Sequence, residues 1–385
     1  MIRRNYMKTL YLHIGTPKTG TTSLQHFCHD NQQKLAEKGY FYPEFDFEYA
    51  NKGKYRNGLF LEAVYLDDEG KRLKDKEKEN FNNGLEELTK LFKIYDNIIL
   101  SDEGIWTACF SRKRGKRLMH QLQEYALTSG CQIKIIVYLR RQDEYVLSWY
   151  NQLVKHSITT KNTLTWDEYI NNYDQYINLD YLGCLRKLKN IFGMENIIVK
   201  RFDKNYFTGG SLFSDFLDIF GITFEDSFYT KEKRNNLNTR LSENACEIKR
   251  IINETTKMNT NETRKFECIL REFSPVSEKS YPCSMMSEEE SNGLMQLYEL
   301  SNQKIADRYI CDGRPLFSTI TCTKEKWKKN NIHMLDDVIR FSCMSALCTM
   351  RMAEENSEKI MKLHTALEHP FQTWFKKIFQ NPKTS

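Results

Sequence analysis

The sequence predicts an α/β fold of three layers, a central parallel sheet with helices on both faces. Short apolar runs at residues 10–14, 97–100, 133–139 and 196–200 read as strands, and the third is almost continuously apolar, as a strand buried on both faces must be. Helical spacing of apolar residues at 23–37, 181–192 and 211–220 alternates with those runs. Strands separated by helices need crossovers, and crossover connections produce parallel pairing. Polar, chemistry-bearing residues follow three of the strands directly, at the sheet edge where open α/β folds bind ligands.

The first strand runs into Gly15-Thr16-Pro17-Lys18-Thr19-Gly20-Thr21-Thr22 and then into the helical stretch from Ser23. A helix N-terminus carries unpaired amides and a positive dipole end, so Gly20, Thr21 and Thr22 would present donors to an oxyanion while Lys18 adds a full charge. A nucleotide-hydrolysing Walker A loop reads G-x-x-x-x-G-K-[ST], with lysine after the second glycine and the next hydroxyl on magnesium. Here the glycine frame of a P-loop-type fold survives, but Thr21 and Thr22 follow Gly20 and the lysine lies inside the loop. ATP or GTP hydrolysis is thereby disfavoured.

The second strand, 97–100, ends in Ser101-Asp102-Glu103-Gly104. Glu103 is the candidate general base, with a capping role for Asp102 or Glu103 as the plain alternative and His26, His29 and His156 as rivals. The third strand, 133–139, is followed by Arg140, Arg141 and a helix carrying Ser148. An arginine at the strand end and a serine eight residues later can converge on one phosphate. Arg141 stands one residue out of register with that spacing. The fourth strand, 196–200, precedes a helix at 211–220 stopped by Gly221.

The stretch from Pro17 to Thr22 resembles the 5′-phosphosulfate loop of sulfotransferases that use 3′-phosphoadenosine 5′-phosphosulfate (PAPS), and the Arg140–Ser148 spacing resembles their 3′-phosphate motif. Residues 238–253, 298–309 and 315–317 are similar to closing segments of bacterial carbohydrate sulfotransferases, so the resemblance spans about residues 8–317. It implies that Lys18, Thr19, Gly20, Thr21 and Thr22 hold the 5′ end of PAPS and that Arg140 and Ser148 hold the 3′-phosphate. Lys18 would also neutralise the bridging oxygen during in-line displacement, while Glu103 takes the acceptor proton. The implied product is adenosine 3′,5′-bisphosphate, no metal is required, and the acceptor is a hydroxyl, less readily an amine, of a glycan or glycolipid. The basic cluster Lys231, Lys233 and Arg234 lies where related enzymes have a loop touching the 3′-phosphate, although a solvated charge cluster is the plainer reading.

Two other classes stand beside this one. A P-loop nucleotide kinase or NTPase would want lysine directly after Gly20, and a sulfotransferase-like binding protein without activity would keep the same motifs.

The remaining segments bound the molecule. Residues 67–83 are rich in lysine, glutamate and aspartate and read as a solvent-exposed insertion, with a helix as one form, while the aromatic run 40–47 reads as core packing or acceptor-facing surface. A sulfotransferase domain over 8–317 and a mostly helical extension over 318–385 are expected. In that extension Phe371, Trp374, Phe375 and Ile378 make a helical stripe beside Lys376 and Lys377, which could dock on the domain or lie on an anionic membrane. The 11 cysteines recur at no paired spacing and no secretory signal precedes them, so a cytoplasmic, reducing setting is expected, and animal Golgi sulfotransferases differ in carrying an N-terminal anchor. His26-Phe27-Cys28-His29 lacks a second half-site for zinc. A net charge of +6 suits an anionic cofactor and falls short of the basic stripe that nucleic acid needs.

Overall fold

The computed structural model describes residues 7–47, 53–110, 113–155, 163–230, 240–255, 258–319 and 324–368. Along the chain the elements are β1 (Lys8–His13), α1 (Thr21–Asp30), α2 (Gln32–Glu37), β2 (Tyr40–Phe41), α3 (Lys74–Leu91), β3 (Asn97–Ser101), α4 (Gly104–Phe110) and α5 (Arg114–Ser129). There follow β4 (Cys131–Leu139), α6 (Gln142–Lys155), α7 (Trp166–Ile170), α8 (Tyr181–Phe192), β5 (Ile197–Arg201) and α9 (Leu212–Asp218). The rest comprises α10 (Glu243–Thr255), α11 (Thr260–Ser280), β6 (Cys283–Ser284), α12 (Glu288–Ile305), β7 (Glu325–Lys326) and α13 (Met334–Glu368).

Described residues within 1–150, 167–235 and 286–323 form one compact unit, and those within 151–166, 236–285 and 324–385 form another. The sequence boundary at 317/318 differs from this division, because residues 240–285 group with the last segment of the chain. In that second unit Asp337 on α13 is fully buried and bound by Asn244 Nδ2 of α10 (2.9 Å) and Ser277 Oγ of α11 (2.9 Å). A buried carboxylate demands such donors, and it is long-range satisfaction of this kind that periodicity does not reveal.

The first unit is mixed α/β, built on a parallel five-stranded sheet in the order β2-β3-β1-β4-β5 and flanked by helices, as in a three-layer fold. His13 at the end of β1 stands opposite Ser101 of β3 and Ile136 of β4, so three adjacent strands stop near one edge. On one face Tyr11, Ile99, Ile136 and Tyr138 pack with Leu24 and Phe27 of α1 and Phe216 and Leu217 of α9. Side chains alternate along a strand, so Leu10, Leu12, Ile135 and Val137 point away from that cluster; α5 packs on β4, and α8 packs on β4 and β5.

Two departures from the sequence reading have local causes. The helix expected at 23–37 is broken at Asn31, whose Nδ2 donates to the carbonyls of Phe27 (2.8 Å) and Tyr229 (2.9 Å) while its Oδ1 accepts Tyr229 N (2.8 Å). A fifth strand, β2, comes from the aromatic run 40–47, where Tyr40 pairs with Asn97 and Phe41 stacks on Tyr95 at 4.0 Å. Tyr42 and Phe45 are buried, so that run packs the core. The charged insertion is helical from Lys74 onward.

At the end of β5, Arg201 binds a segment from much later in the chain. Its guanidinium takes both Asp312 oxygens at 2.8 Å and donates to the carbonyls of Arg314 (3.0 Å), Pro315 (3.1 Å) and Leu316 (3.0 Å). The hydrogen bond from Arg201 holds the Asp312 carboxyl well below the usual range.

Among the described residues no helix is long and apolar enough to cross a membrane. Cys28, Cys109, Cys131, Cys184, Cys246 and Cys283 are buried free thiols. His156, the cluster Lys231, Lys233 and Arg234, and the stripe 371–378 lie outside the described residues.

Candidate active site

The loop after β1 keeps pairing with β4 before it turns. Ile14 N donates to Ile136 O (3.0 Å), Tyr138 N to Gly15 O (2.8 Å) and Thr16 N to Tyr138 O (2.9 Å). It then folds back through left-handed backbone at Lys18 (φ 69°) and Gly20 (φ 71°). Glycine reaches that region freely, whereas a lysine there costs on the order of 1–3 kcal/mol. The hydroxyls of Thr19 and Thr21 both point to the Thr16 carbonyl, and all three threonines are buried. These side chains therefore shape the loop from inside. Thr22 and Lys18 remain half-buried at its surface.

Helix α1 starts at Thr21 behind its N-cap Gly20, which has no side chain to cap the first amides. Those amides lack helical acceptors and carry the positive end of the dipole, so the loop offers an oxyanion a set of backbone donors next to Lys18. Close approach requires both glycines. A Cβ on Gly15 would stand 3.2 Å from Cβ of Glu103, and one on Gly20 would strike Leu212 and crowd the Phe202 ring.

Arg140 reaches this loop from the end of β4. Its Nη1 donates to Lys18 O at 2.9 Å, its Nε meets Glu144 at 3.0 Å, and its guanidinium stands over the Phe202 ring at 5.7 Å. Tyr181 Oη donates to the Arg140 carbonyl (2.9 Å) and fixes the strand end. Arg141 turns elsewhere, to Asp143 (3.0 Å) and the Ser318 carbonyl (2.9 Å), so the neighbour out of register has a structural role. Ser148 is buried in the second turn of α6.

At the end of β3 the two carboxylates have different surroundings. Asp102 is fully buried, takes Gly104 N at 2.7 Å and is gripped by Arg56 Nε (2.9 Å) and Nη2 (2.8 Å). Burial pushes its carboxyl up to about 7, against the pull of Arg56. Glu103 is left partly exposed at 24%, its Oε2 accepting from Gln25 Nε2 (3.1 Å) and its Oε1 3.7 Å from Arg56. Asp102 is thus the cap and ion-pair member, and Glu103 the carboxylate with access to solvent.

The rival histidines have other engagements. His26 packs on Tyr55 with ring centroids 3.8 Å apart, and His29 meets Glu44 at 2.7 Å. Among the described residues no three His, Cys, Asp or Glu side chains converge as metal ligands.

Arg56 and Gln25 are site residues that the sequence did not single out. Arg56 has no local signal, since its partner is 46 residues away, and Asn57 anchors it by bonding Ser101 N (2.9 Å) and Ile99 O (3.0 Å). Gln25 does have one, because it lies a helical turn after Thr21 and a buried amide on that face needs partners.

No family model matches the chain. It is 28% identical over 177 residues to an uncharacterized protein of Archaeoglobus fulgidus, a match covering 46% of either chain. The chain spans about half the length of that relative.

Proposed function

We propose that the chain is a PAPS-dependent sulfotransferase acting on a hydroxyl of a glycan or glycolipid. The observation that carries this reading is the 2.9 Å bond from Arg140 Nη1 to the Lys18 carbonyl, which joins the two motifs of the resemblance in one anion-binding wall, with Glu103 against Gly15 beside it. The strand order, with the glycine-framed loop directly after the central strand, supports a P-loop-type fold.

The residues present fit PAPS. The amides of Thr21 and Thr22 with Lys18 would hold the 5′ end, Thr19 and Thr21 keep the loop in shape, and Arg140 with Ser148 would hold the 3′-phosphate. PAPS supplies the sulfuryl group when bound. Lys18 and the α1 amides stabilise negative charge where a leaving phosphate develops it, without reorganisation at the moment of reaction. Glu103 accepts the proton of the acceptor hydroxyl, and Gln25 and Arg56 hold its carboxylate in orientation.

The test is thermal stabilisation by adenosine 3′,5′-bisphosphate compared with ATP plus magnesium and adenosine 5′-monophosphate. A shift specific to the bisphosphate and lost in Arg140→Ala is expected. A preference for ATP with magnesium, or no shift with any of them, overturns the reading.

A further inference from the structure

A cleft of about 660 Å³ lies in the first unit between the helical insertion α3 and the start of α5. Buried Phe60 and Leu118 contribute to its floor. Gly84 lets α3 settle there, since any Cβ at that position would enter the Phe60 ring.

The charges around this cleft do not balance. Arg72 is taken up by Glu77, at 2.6 and 2.7 Å, and Arg114 by Glu62 at 3.1 Å. That leaves Lys74, Lys78, Lys113 and Arg117 without a carboxylate partner among the described residues, against Asp75 alone. Both helices also begin at the cleft, and their N-cap residues, Leu73 and Lys113, make no side-chain cap. The first turn of α5 carries Arg114 and Arg117 and no acid, the reverse of what the helix dipole favours. Like charges gathered in a concavity repel one another, and an anion entering it relieves both penalties.

One lining residue connects the cleft to the segment that carries the candidate base. Glu62 is one of its lining residues, and a Cβ on Gly104, the residue after Glu103, would collide with the Glu62 carboxylate. We propose that this cleft receives an acidic oligosaccharide segment of the acceptor, its carboxylate or sulfate groups bound by Lys74, Lys78, Lys113 and Arg117 while the reacting hydroxyl meets Glu103. The assignment of the hydroxyl to Glu103 rests on the sulfotransferase reading. The anion site itself rests on the cleft alone. A concave site with a buried apolar floor suits a chain that enters it, with sugar faces on the floor and charges on the walls.

The experiment uses the full chain and three variants, Lys74→Ala with Lys78→Ala, Arg117→Ala, and Lys116→Ala as a control outside the cleft. Fluorescence anisotropy reads binding of a labelled hexuronate-containing tetrasaccharide and of neutral cellotetraose. The acidic probe is expected to bind the parent and Lys116→Ala alike, to lose more than about tenfold in affinity in the two cleft variants, and to outcompete the neutral probe. All variants are expected to keep the thermal shift with adenosine 3′,5′-bisphosphate. Equal binding in the cleft variants, equal loss in Lys116→Ala, or no binding to the parent overturns the proposal. So does binding to phosphatidylglycerol vesicles that the cleft variants abolish while the tetrasaccharide is ignored, because the cleft would then serve a membrane surface. A parent that binds the acidic probe through the cleft but shows no bisphosphate shift would sink the sulfotransferase reading and leave the anion site standing.

Discussion

Gln25 Nε2 donates to Glu103 Oε2 at 3.1 Å from a position on α1 that is wholly buried, and the other end of the amide, Oε1, has no hydrogen-bond partner among the described residues. A donor held in place by the α1 backbone fixes the rotamer of the carboxylate it meets. Gln25→Leu is therefore expected to lower kcat by about 10- to 100-fold with little change in bisphosphate binding, and Gln25→Glu or Gln25→Leu to leave KM for the phosphosulfate donor nearly unchanged. Steady-state rates with labelled phosphosulfate would check it, and an unchanged kcat, or a fall matched by lost bisphosphate binding, would count against the positioning role.

Glu144 competes for the arginine that the 3′-phosphate would need. Its carboxylate sits 3.0 Å from Arg140 Nε at the partly exposed surface. Removing a partner worth about 0.2–1 kcal/mol frees the guanidinium, so Glu144→Gln is expected to tighten adenosine 3′,5′-bisphosphate by about two- to fivefold. Calorimetric titration reads this directly, and weaker binding would place Glu144 on the ligand's side.

His13 makes stability depend on pH. It is fully buried with Nδ1 2.8 Å from Ser101 Oγ, and burial lowers its pKa from 6.5 to about 3. Between those values the unfolded chain binds a proton that the folded chain refuses, so this contribution is complete above pH 6.5 and is lost as pH falls. From pH 6.5 to pH 5 the loss is about 2 kcal/mol. Asp102, raised by burial, contributes a slope of opposite sign, so the comparison of parent with His13→Gln isolates the histidine. Urea denaturation at several pH values should show the variant's stability falling less steeply with acid; parallel curves would refute the assignment.

Gly20→Ala tests the loop itself. Alanine would have to adopt φ 71° and push its Cβ into Leu212. A loss of about 1–3 kcal/mol is expected in thermal or urea unfolding, together with loss of bisphosphate binding as α1 shifts from its start.

Much of the first unit could be read from the chain because its signals are local. The run 133–139 announces β4 within two residues, and the apolar stripe of 181–192 is α8, capped by Asp180 through Gly183 N at 2.8 Å. Gly15 and Gly20 mark a strand-to-helix turn for the same local reason. What stayed hidden depends on distant partners. Asn31 ends a helix through Tyr229, Arg56 answers Asp102, and β2 is only a two-residue strand whose place comes from pairing with β3. Residues 240–285 read as a continuation of the domain because helical periodicity states that a face is buried without stating against what.

The Arg201 strap has a consequence for the order of biosynthesis. All five strands of the sheet are complete once residue 201 has been made, yet the acceptors of that buried guanidinium arrive 111 to 115 residues later. A nascent chain emerging from a ribosome must hold an unanswered cation at the rim of its sheet until Asp312 and the carbonyls of 314–316 appear. Closing a loop of that length raises contact order and slows the final step. Chains released before Asp312 should accumulate as partly folded species prone to aggregate, which makes the segment 312–316 the latch that ends folding of the first unit.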